Sequence, residues 1–410
     1  MAGFFLISVA GEGAWAALLS PLASQPDWSL LQQYAGTITA NDFEKLLQQV
    51  YVPDGSWKEW ITLSPTQALI TPHSGAAPIL LALAPPGTMP KLPPRFWRGR
   101  SERTPLPGKP LAGLKITLDP GHLGGIFARM EERWFRIGNS RPVEEGEMTL
   151  IVARHLKTRL EALGAEVSMT RSKNGATTSL RPGNLQNQAL GTLEEEKLSP
   201  NEDRLQRTEN LLFYRVGEIR NRARLVNQKL HPDLVVCLHF NAEEWGDPAH
   251  PSFSDKNHLH LLLSGDMTRE ELLHEDERYT MLIKLLGGTH AEELAASESV
   301  SRALAAATGL PPFEYHSHNA IAASSNPYLW IRNLLANRLF ECPVVYCEPY
   351  VMNCRPVFNR IQLGDYTGLR KVGGVLLPSI YREYADAVAQ GLADYYGNGT
   401  HSEKADIQTR

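Results

Sequence analysis

Residues 115–125 read Lys-Ile-Thr-Leu-Asp-Pro-Gly-His-Leu-Gly-Gly. Ile116 and Leu118 make an apolar run of strand type, and Asp119-Pro120-Gly121 stops it abruptly. The stop leaves His122 at the mouth of a sheet, held by a turn and followed by two flexible glycines. From residue 114 onward, strand-like and helix-like segments alternate: strand 115–118, helix 147–163, strand 166–170, helix 212–230, strand 233–239. Such alternation predicts an α/β fold, a twisted, mostly parallel sheet flanked by helices. Open sheets of this kind gather their chemistry beyond the carboxyl ends of the strands. His122 is therefore a candidate metal ligand or base, provided partners stand at the ends of other strands.

Composition narrows the classes. The 410 residues leave room for two domains or one elaborated domain. A hydrophobic content of 42%, a charged content of 21% and a net charge of -4 give no nucleic-acid footprint. Four cysteines are too few for a disulfide scaffold. Cys237, Cys342 and Cys347 lie in apolar runs and read as buried free thiols. Residues 1–24 suit a signal peptide, with an apolar centre from Phe4 to Ala10 and a cleavage region at Leu22-Ala23-Ser24. No Lys or Arg precedes that centre and Glu12 interrupts it, so a soluble leader or a misplaced start is the alternative. No segment is long and uncharged enough to be an integral membrane helix.

Residues 27–85 read as a small α+β module with a packing or binding role. Phe43, Leu46, Leu47 and Val50 form one helical stripe there, and two short strands follow near 60–63 and 79–83. The stretch 86–113 is rich in proline and carries Arg95, Arg98, Arg100 and Arg103. It reads as a semi-rigid, solvated linker rather than a patch for an anionic surface. The remaining domain spans 114–397 and closes with an apolar helix near 377–396. Within it, 177–207 is polar and 268–307 is helical and charged, which marks both as insertions. The tail 398–410 is polar, and its Asn398-Gly-Thr sequon carries little meaning there.

Chemistry concentrates at three further places. Glu144-Glu145-Gly146-Glu147 leads into Met148, Leu150, Ile151, Val152 and Leu156, an apolar helix face. Acidic residues at a helix start oppose the dipole; the functional alternative turns one carboxylate inward toward His122. Leu234-Val235-Val236-Cys237-Leu238 is continuously apolar, as a central parallel strand should be, and it ends at His239. Two histidines and a carboxylate on one sheet edge match a catalytic zinc site with an open fourth position. A third strand, 343–347, ends in Glu348-Pro349-Tyr350. A glutamate on a buried strand tip is costly unless paired, solvated or used, which makes Glu348 the candidate general base.

With Asp119-Pro120-Gly121-His122, a Glu before an amphipathic helix, Arg222, Asn227, the run 233–242 and Pro343 to Glu348 in this order, the chain resembles the zinc-dependent N-acetylmuramoyl-L-alanine amidases. The resemblance covers roughly 114–396. It implies one zinc ion held by His122, Glu145 and His239, with Glu348 catalytic; Glu145 alone has Met148, Leu150 and Ala153 at the family's spacing. Thr170-Arg171 matches the pair that closes the family's second strand. The implied substrate is peptidoglycan, cut between the lactyl group of N-acetylmuramic acid and L-alanine, which implies a periplasmic or extracellular location. A further expectation is an activator protein that displaces an insertion.

The departures are Cys237, Phe240, Pro349-Tyr350 and an early Asn353, together with the two insertions, expected around the groove. They bear on the substrate pocket more than on the metal. They keep two alternatives open: a zinc amidase or peptidase acting on another amide, and a catalytically impaired wall-binding protein. The stretch between His122 and Glu145 offers Glu131, Glu132, Trp134 and Phe135 as cleft residues or as a packed flap. Asn241, His316 and His318 are candidate substrate contacts. His258 and His260 share one face of a strand, read as half-exposed rather than metal-binding.

Overall fold

The computed structural model describes residues 18–247, 250–317 and 319–397. Residues 1–17, on which most of the expected signal peptide falls, 248–249, His318 and 398–410 lie outside the described residues. Helix α1 (Ala40–Leu46) begins where Thr39 Oγ1 accepts from the Asp42 amide at 3.2 Å. It packs beside an antiparallel sheet of β1 (Ile61–Ser64), β2 (Gln67–Ile70) and β3 (Ile79–Ala82). Phe43, Leu47, Val50 and Leu81 of this unit join the same buried cluster as the central sheet. The amides of Asp266 and Met267 donate to the carbonyls of Val50 and Tyr51, both at 2.8 Å. The unit is thus sutured to the body, because some sixty residues bury too little of their own apolar surface to stand alone.

The proline-rich stretch differs from its expected solvated state. Trp97, Leu111 and Leu114 are buried, and Arg95 lies 3.6 Å over the Trp97 ring. Arg98 donates through Nε and Nη2 to the two oxygens of buried Asp233, at 3.1 and 2.8 Å. Two apolar anchors, Trp97 and Leu111, and an ion pair onto the buried Asp233 carboxylate turn the stretch into a strap laid on the domain. Residues from Leu18 are also docked: Leu18 O accepts from the Glu275 amide at 2.8 Å, and Ser20 donates through N and Oγ to Asp276 at 2.7 and 2.6 Å.

The domain proper runs β4 (Lys115–Pro120), the small hairpin β5 (Trp134–Phe135) and β6 (Val143–Glu144), α2 (Glu145–Ala162) and β7 (Glu166–Met169). Then come α3 (Gln186–Glu195), α4 (Glu202–Leu211), α5 (Glu218–Leu225), β8 (Leu234–Leu238) and β9 (Leu259–Leu263). Helices α6 (Glu275–Gly287) and α7 (Thr289–Thr308) precede β10 (Ile321–Ala322), β11 (Leu329–Ile331), α8 (Leu335–Leu339) and β12 (Val344–Pro349). The chain closes with α9 (Arg355–Gln362), the hairpin β13 (Arg370–Val372) and β14 (Val375–Leu377), and α10 (Ile380–Gly397).

Seven strands make the central sheet, in the order β10-β11-β9-β12-β8-β4-β7. The pairs β7–β4, β4–β8 and β8–β12 are parallel, whereas β9 runs antiparallel to β12. Alternation along the strands divides the core. Val236, Leu238, Leu261, Val345 and Cys347 join one cluster with residues of α2, α7 and α10. Val235, Cys237, Leu262, Val344 and Tyr346 join another with residues of α5 and α8. This is the expected mostly parallel sheet flanked by helices. All four cysteines are buried and free, and no described helix is long and apolar enough to cross a membrane.

The segment 268–307, expected as an insertion around the groove, is instead largely α6 and α7. Helix α7 lies against β9, β12 and α10. Its stripe of Ala296, Val300 and Leu304 is fully buried, at the spacing of one helix face. Small residues made this face inconspicuous in sequence. The segment 177–207 forms α3 and the start of α4, and Leu185 and Ala189 pack with Leu123 and Phe213 beneath the loop after β4.

Candidate metal centre and its cleft

The loop that leaves β4 is set by close backbone contact. The Gly121 amide donates to Leu238 O at 2.9 Å, and His122 sits at φ 58°, a left-handed conformation unusual for a non-glycine residue. A Cβ on Gly146 would fall 2.2 Å from the Gly124 nitrogen. Only a glycine there lets the loop touch the first turn of α2, and that contact brings Glu145 beside His122. Arg171 clamps the same loop, donating to Pro120 O and Gly121 O, both at 3.0 Å, and to Gly146 O at 2.6 Å. Arg222 donates to Asp119 Oδ1, Pro120 O and His122 O at 3.1, 2.9 and 3.0 Å, and to Glu218 at 2.8 Å. Two buried guanidiniums therefore satisfy carbonyls that a sharp strand exit leaves unpaired.

Nitrogen and oxygen donors of His122, Glu145 and His239 all lie within 4.8 Å of one another. Glu145 Oε2 is 3.3 Å from His122 Nε2, and Oε1 is 3.3 Å from His239 Nδ1. Burial alone would push the Glu145 carboxyl up, but His122, His239 and Arg133 together bring it down to about 2. Glu145 is thus an ionised carboxylate at the floor of the site. Two imidazoles and one carboxylate form a donor set that suits zinc, with room left for a fourth partner.

Both histidines are braced from behind. Glu131 accepts from the Leu123 amide at 3.1 and 2.9 Å, and its Oε1 stands 3.8 Å from His122 Nδ1. The His239 ring stacks on Tyr346 at 4.6 Å, and its carbonyl accepts from the Tyr384 hydroxyl at 3.2 Å. Such backing fixes ring orientation in metal sites. Sequence reasoning offered Glu131 as a cleft residue and missed the bracing. The pair lies nine residues apart across an irregular loop, so no periodicity signals it.

A cleft of about 1150 Å³ opens above these residues, lined among others by Glu131, Glu132, Trp134, Asn241 and Glu348. Glu348 is the penultimate residue of β12 on the same edge, 21% exposed. Its carboxyl is held above the ordinary range by burial first; His239 lowers it, and the Glu145 charge raises it again. Phe135 is buried and packs on Trp245 at 5.0 Å rather than lining the cleft. Asn241 does line it, with its Oδ1 accepting from the Ala242 amide at 2.7 Å.

Four expectations need correction. His316 is exposed and absent from the cleft wall, because the loop that carries it runs outward past Tyr315. No lining residue comes from 177–207 or 268–307, since both segments are absorbed into packing. Tyr350 points into the core, where its hydroxyl donates to Glu383 at 2.7 Å, so Pro349-Tyr350 does not obstruct the cleft. His258 and His260 are buried rather than half-exposed, 5% and 1% accessible, because Phe313 covers both rings at 4.4 and 5.0 Å.

Residues 116–252 match the model of a family described as N-acetylmuramoyl-L-alanine amidase. No curated protein sequence matches the chain. Among solved structures, the apo N-acetylmuramyl-L-alanine amidase Ami1 from Mycobacterium abscessus shares 18% identity, covering 70% of this chain and 99% of its own, with a TM-score of 0.37. Ami1 from Mycobacterium smegmatis shares 18%, covering 70% and 98%, at 0.36. The CwlD amidase from Clostridioides difficile, solved in complex with the GerS lipoprotein, shares 16%, covering 68% and 96%, at 0.36.

Proposed function

We propose that this chain, whose residues 116–252 match the family described as N-acetylmuramoyl-L-alanine amidase, hydrolyses the amide between the lactyl group of N-acetylmuramic acid and L-alanine in peptidoglycan. The observation that carries the reading is the convergence of His122, Glu145 and His239 within 4.8 Å, with Glu348 on the same sheet edge facing the same cleft. His122, Glu145 and His239 would hold one zinc ion. When bound, zinc supplies Lewis acidity, which polarises an amide carbonyl and acidifies water.

The residues divide the remaining work. Glu348 takes the proton of the attacking water and delivers it to the departing amine of L-alanine. Its raised pKa suits that second task, because a carboxyl that holds its proton more firmly is present as an acid long enough to transfer it. Glu145 stays ionised and the histidines only position. Glu131, Tyr346, Arg171 and Arg222 keep the three donors in place, which limits the rearrangement needed as the reaction proceeds.

Action on peptidoglycan places the working protein in the periplasm or outside the cell. Mass spectrometry of soluble products, after purified peptidoglycan meets the protein with and without a chelator, tests the reading. Chelator-sensitive release of stem peptides beginning at L-alanine, with glycan left intact, is the expected outcome. Release of other fragments would move the substrate to a different amide, and no release would discard the hydrolase.

A further inference from the structure

Beside Glu348 the sheet supplies a neighbour that the amidase chemistry above does not use. Strand β9 runs antiparallel to β12, with His260 directly opposite Glu348, so the two side chains share one face of the sheet. His260 Nε2 stands 3.5 Å from Glu348 Oε2 and 3.2 Å from the Tyr315 hydroxyl. The ring is enclosed by Phe313 and by Tyr315, which meets it edge-on at 5.6 Å. Its Nδ1 has no hydrogen-bond partner among the described residues.

We propose that His260 is a positioning residue for Glu348: its Nε2–H donates to Oε2, and the other carboxylate oxygen is thereby presented to the cleft. The proposal rests on the reading of Glu348 as the base. A neutral imidazole has one N–H to give. Placed on Nδ1, that proton would be a buried donor with no acceptor, which is strongly unfavourable. Placed on Nε2, it meets two oxygens. Burial first, then His258 and Arg332, brings the imidazolium pKa down to about 3, so the ring is a neutral donor at neutral pH and carries no proton through the cycle.

A glutamate needs such a neighbour. The terminal torsion of its side chain is broad and nearly two-fold, so a carboxylate free on both oxygens spends much of its time misdirected. One fixed oxygen defines the plane and the direction of the other. A separation of 3.5 Å is long for the bond, as catalytic contacts commonly are before substrate binds. His258 does not compete, because its Nε2 pairs with Glu243 Oε1 at 3.1 Å and the two rings are tilted 42° from one another.

Two variants separate the hydrogen bond from mere packing. His260→Gln keeps an N–H at similar reach, whereas His260→Phe keeps a ring of similar size without one. On a muramyl peptide, His260→Phe should lose about tenfold or more in kcat with KM little changed, and His260→Gln should recover most of the loss. Equal kcat losses in both folded variants, or no loss in either, would overturn the proposal. Independently of turnover, long-range 1H–15N spectra of histidine-labelled protein report the tautomer of His260, assigned by its disappearance in His260→Gln. The Nε2–H form is expected, with an Nε2 shift that moves in Glu348→Gln. An Nδ1–H form, or a shift indifferent to Glu348→Gln, refutes the contact. Wild-type protein that cleaves no muramyl peptide would remove the amidase reading, and the tautomer would still decide the contact.

Discussion

A Cβ built on Gly121 falls 2.2 Å from Cε1 of His239 and 2.5 Å from each of its ring nitrogens. The glycine is the floor on which that imidazole rests, at the point where β4 and β8 both end. Gly121→Ala should therefore push the His239 ring away from Glu145 while leaving the sheet intact. Zinc affinity is expected to fall by about tenfold or more, read as zinc retained against a competing chelator, with circular dichroism unchanged. Zinc retention equal to wild type would show that His239 is not held by this contact.

Arg222 is buried against Asp119 and Glu218 at 3.1 and 2.8 Å. Arg222→Met fills similar space and leaves both carboxylates without their shared cation, along with the carbonyls of Pro120 and His122. Removing one partner from a buried charge network costs about 3–5 kcal/mol. Urea unfolding should show a midpoint lowered accordingly, and a change below about 1 kcal/mol would mean that water replaces the guanidinium.

Glu348→Gln keeps size and hydrogen bonding but cannot accept a proton. Turnover should fall by about 10²–10⁴-fold, while zinc content stays that of the wild type, because Glu348 is not among the three converging donors. A Gln variant with near-normal kcat would remove Glu348 from the reaction. Loss of zinc together with activity would instead make it a ligand.

His260 also makes stability depend on pH. Its pKa is about 3 in the folded chain and about 6.5 when unfolded. Above pH 6.5 neither state holds the proton. Below it the unfolded chain takes up a proton that the native chain refuses, so stability falls as pH falls toward 3. Between pH 7.5 and 5.0 this amounts to about 2 kcal/mol. Wild type should lose that much more than His260→Phe in urea titrations at the two pH values; parallel losses would mean that the ring is protonated in place.

The strand–helix alternation and the apolar run at Leu234 to Leu238 made the sheet readable, since both follow from burial on two faces. His122, His239 and Glu348 were legible for the same reason: polar residues that directly end apolar strands are conspicuous. His260 was not, because a histidine within Leu-His-Leu resembles an ordinary alternating strand, and its worth depends on a cross-strand partner 88 residues away. Helix α7 does not read as core in sequence because Ala296 and its neighbours are small, nor does the strap read as docked, because Trp97 is a lone large anchor among prolines. Arg222 stands out in sequence only as part of a pattern; Glu218 is its neighbour one turn earlier on α5, but its other three oxygen partners, on Asp119, Pro120 and His122, come from a strand exit that only the fold brings to it.

The reversed direction of β9 has a consequence for how such a site changes over time. Between parallel strands the chain must cross to the far edge and return, so altering a rim loop also disturbs the helix that carries the return. Strand β8 exits at the metal edge, and β9 enters from that same edge, so the connection between them begins and ends on the side of the cleft. Asn241, Glu243 and Trp245, all on the cleft wall, belong to this local excursion. Substrate choice can therefore drift by lengthening or rewriting one loop, while the scaffold holding the three converging side chains is inherited unchanged.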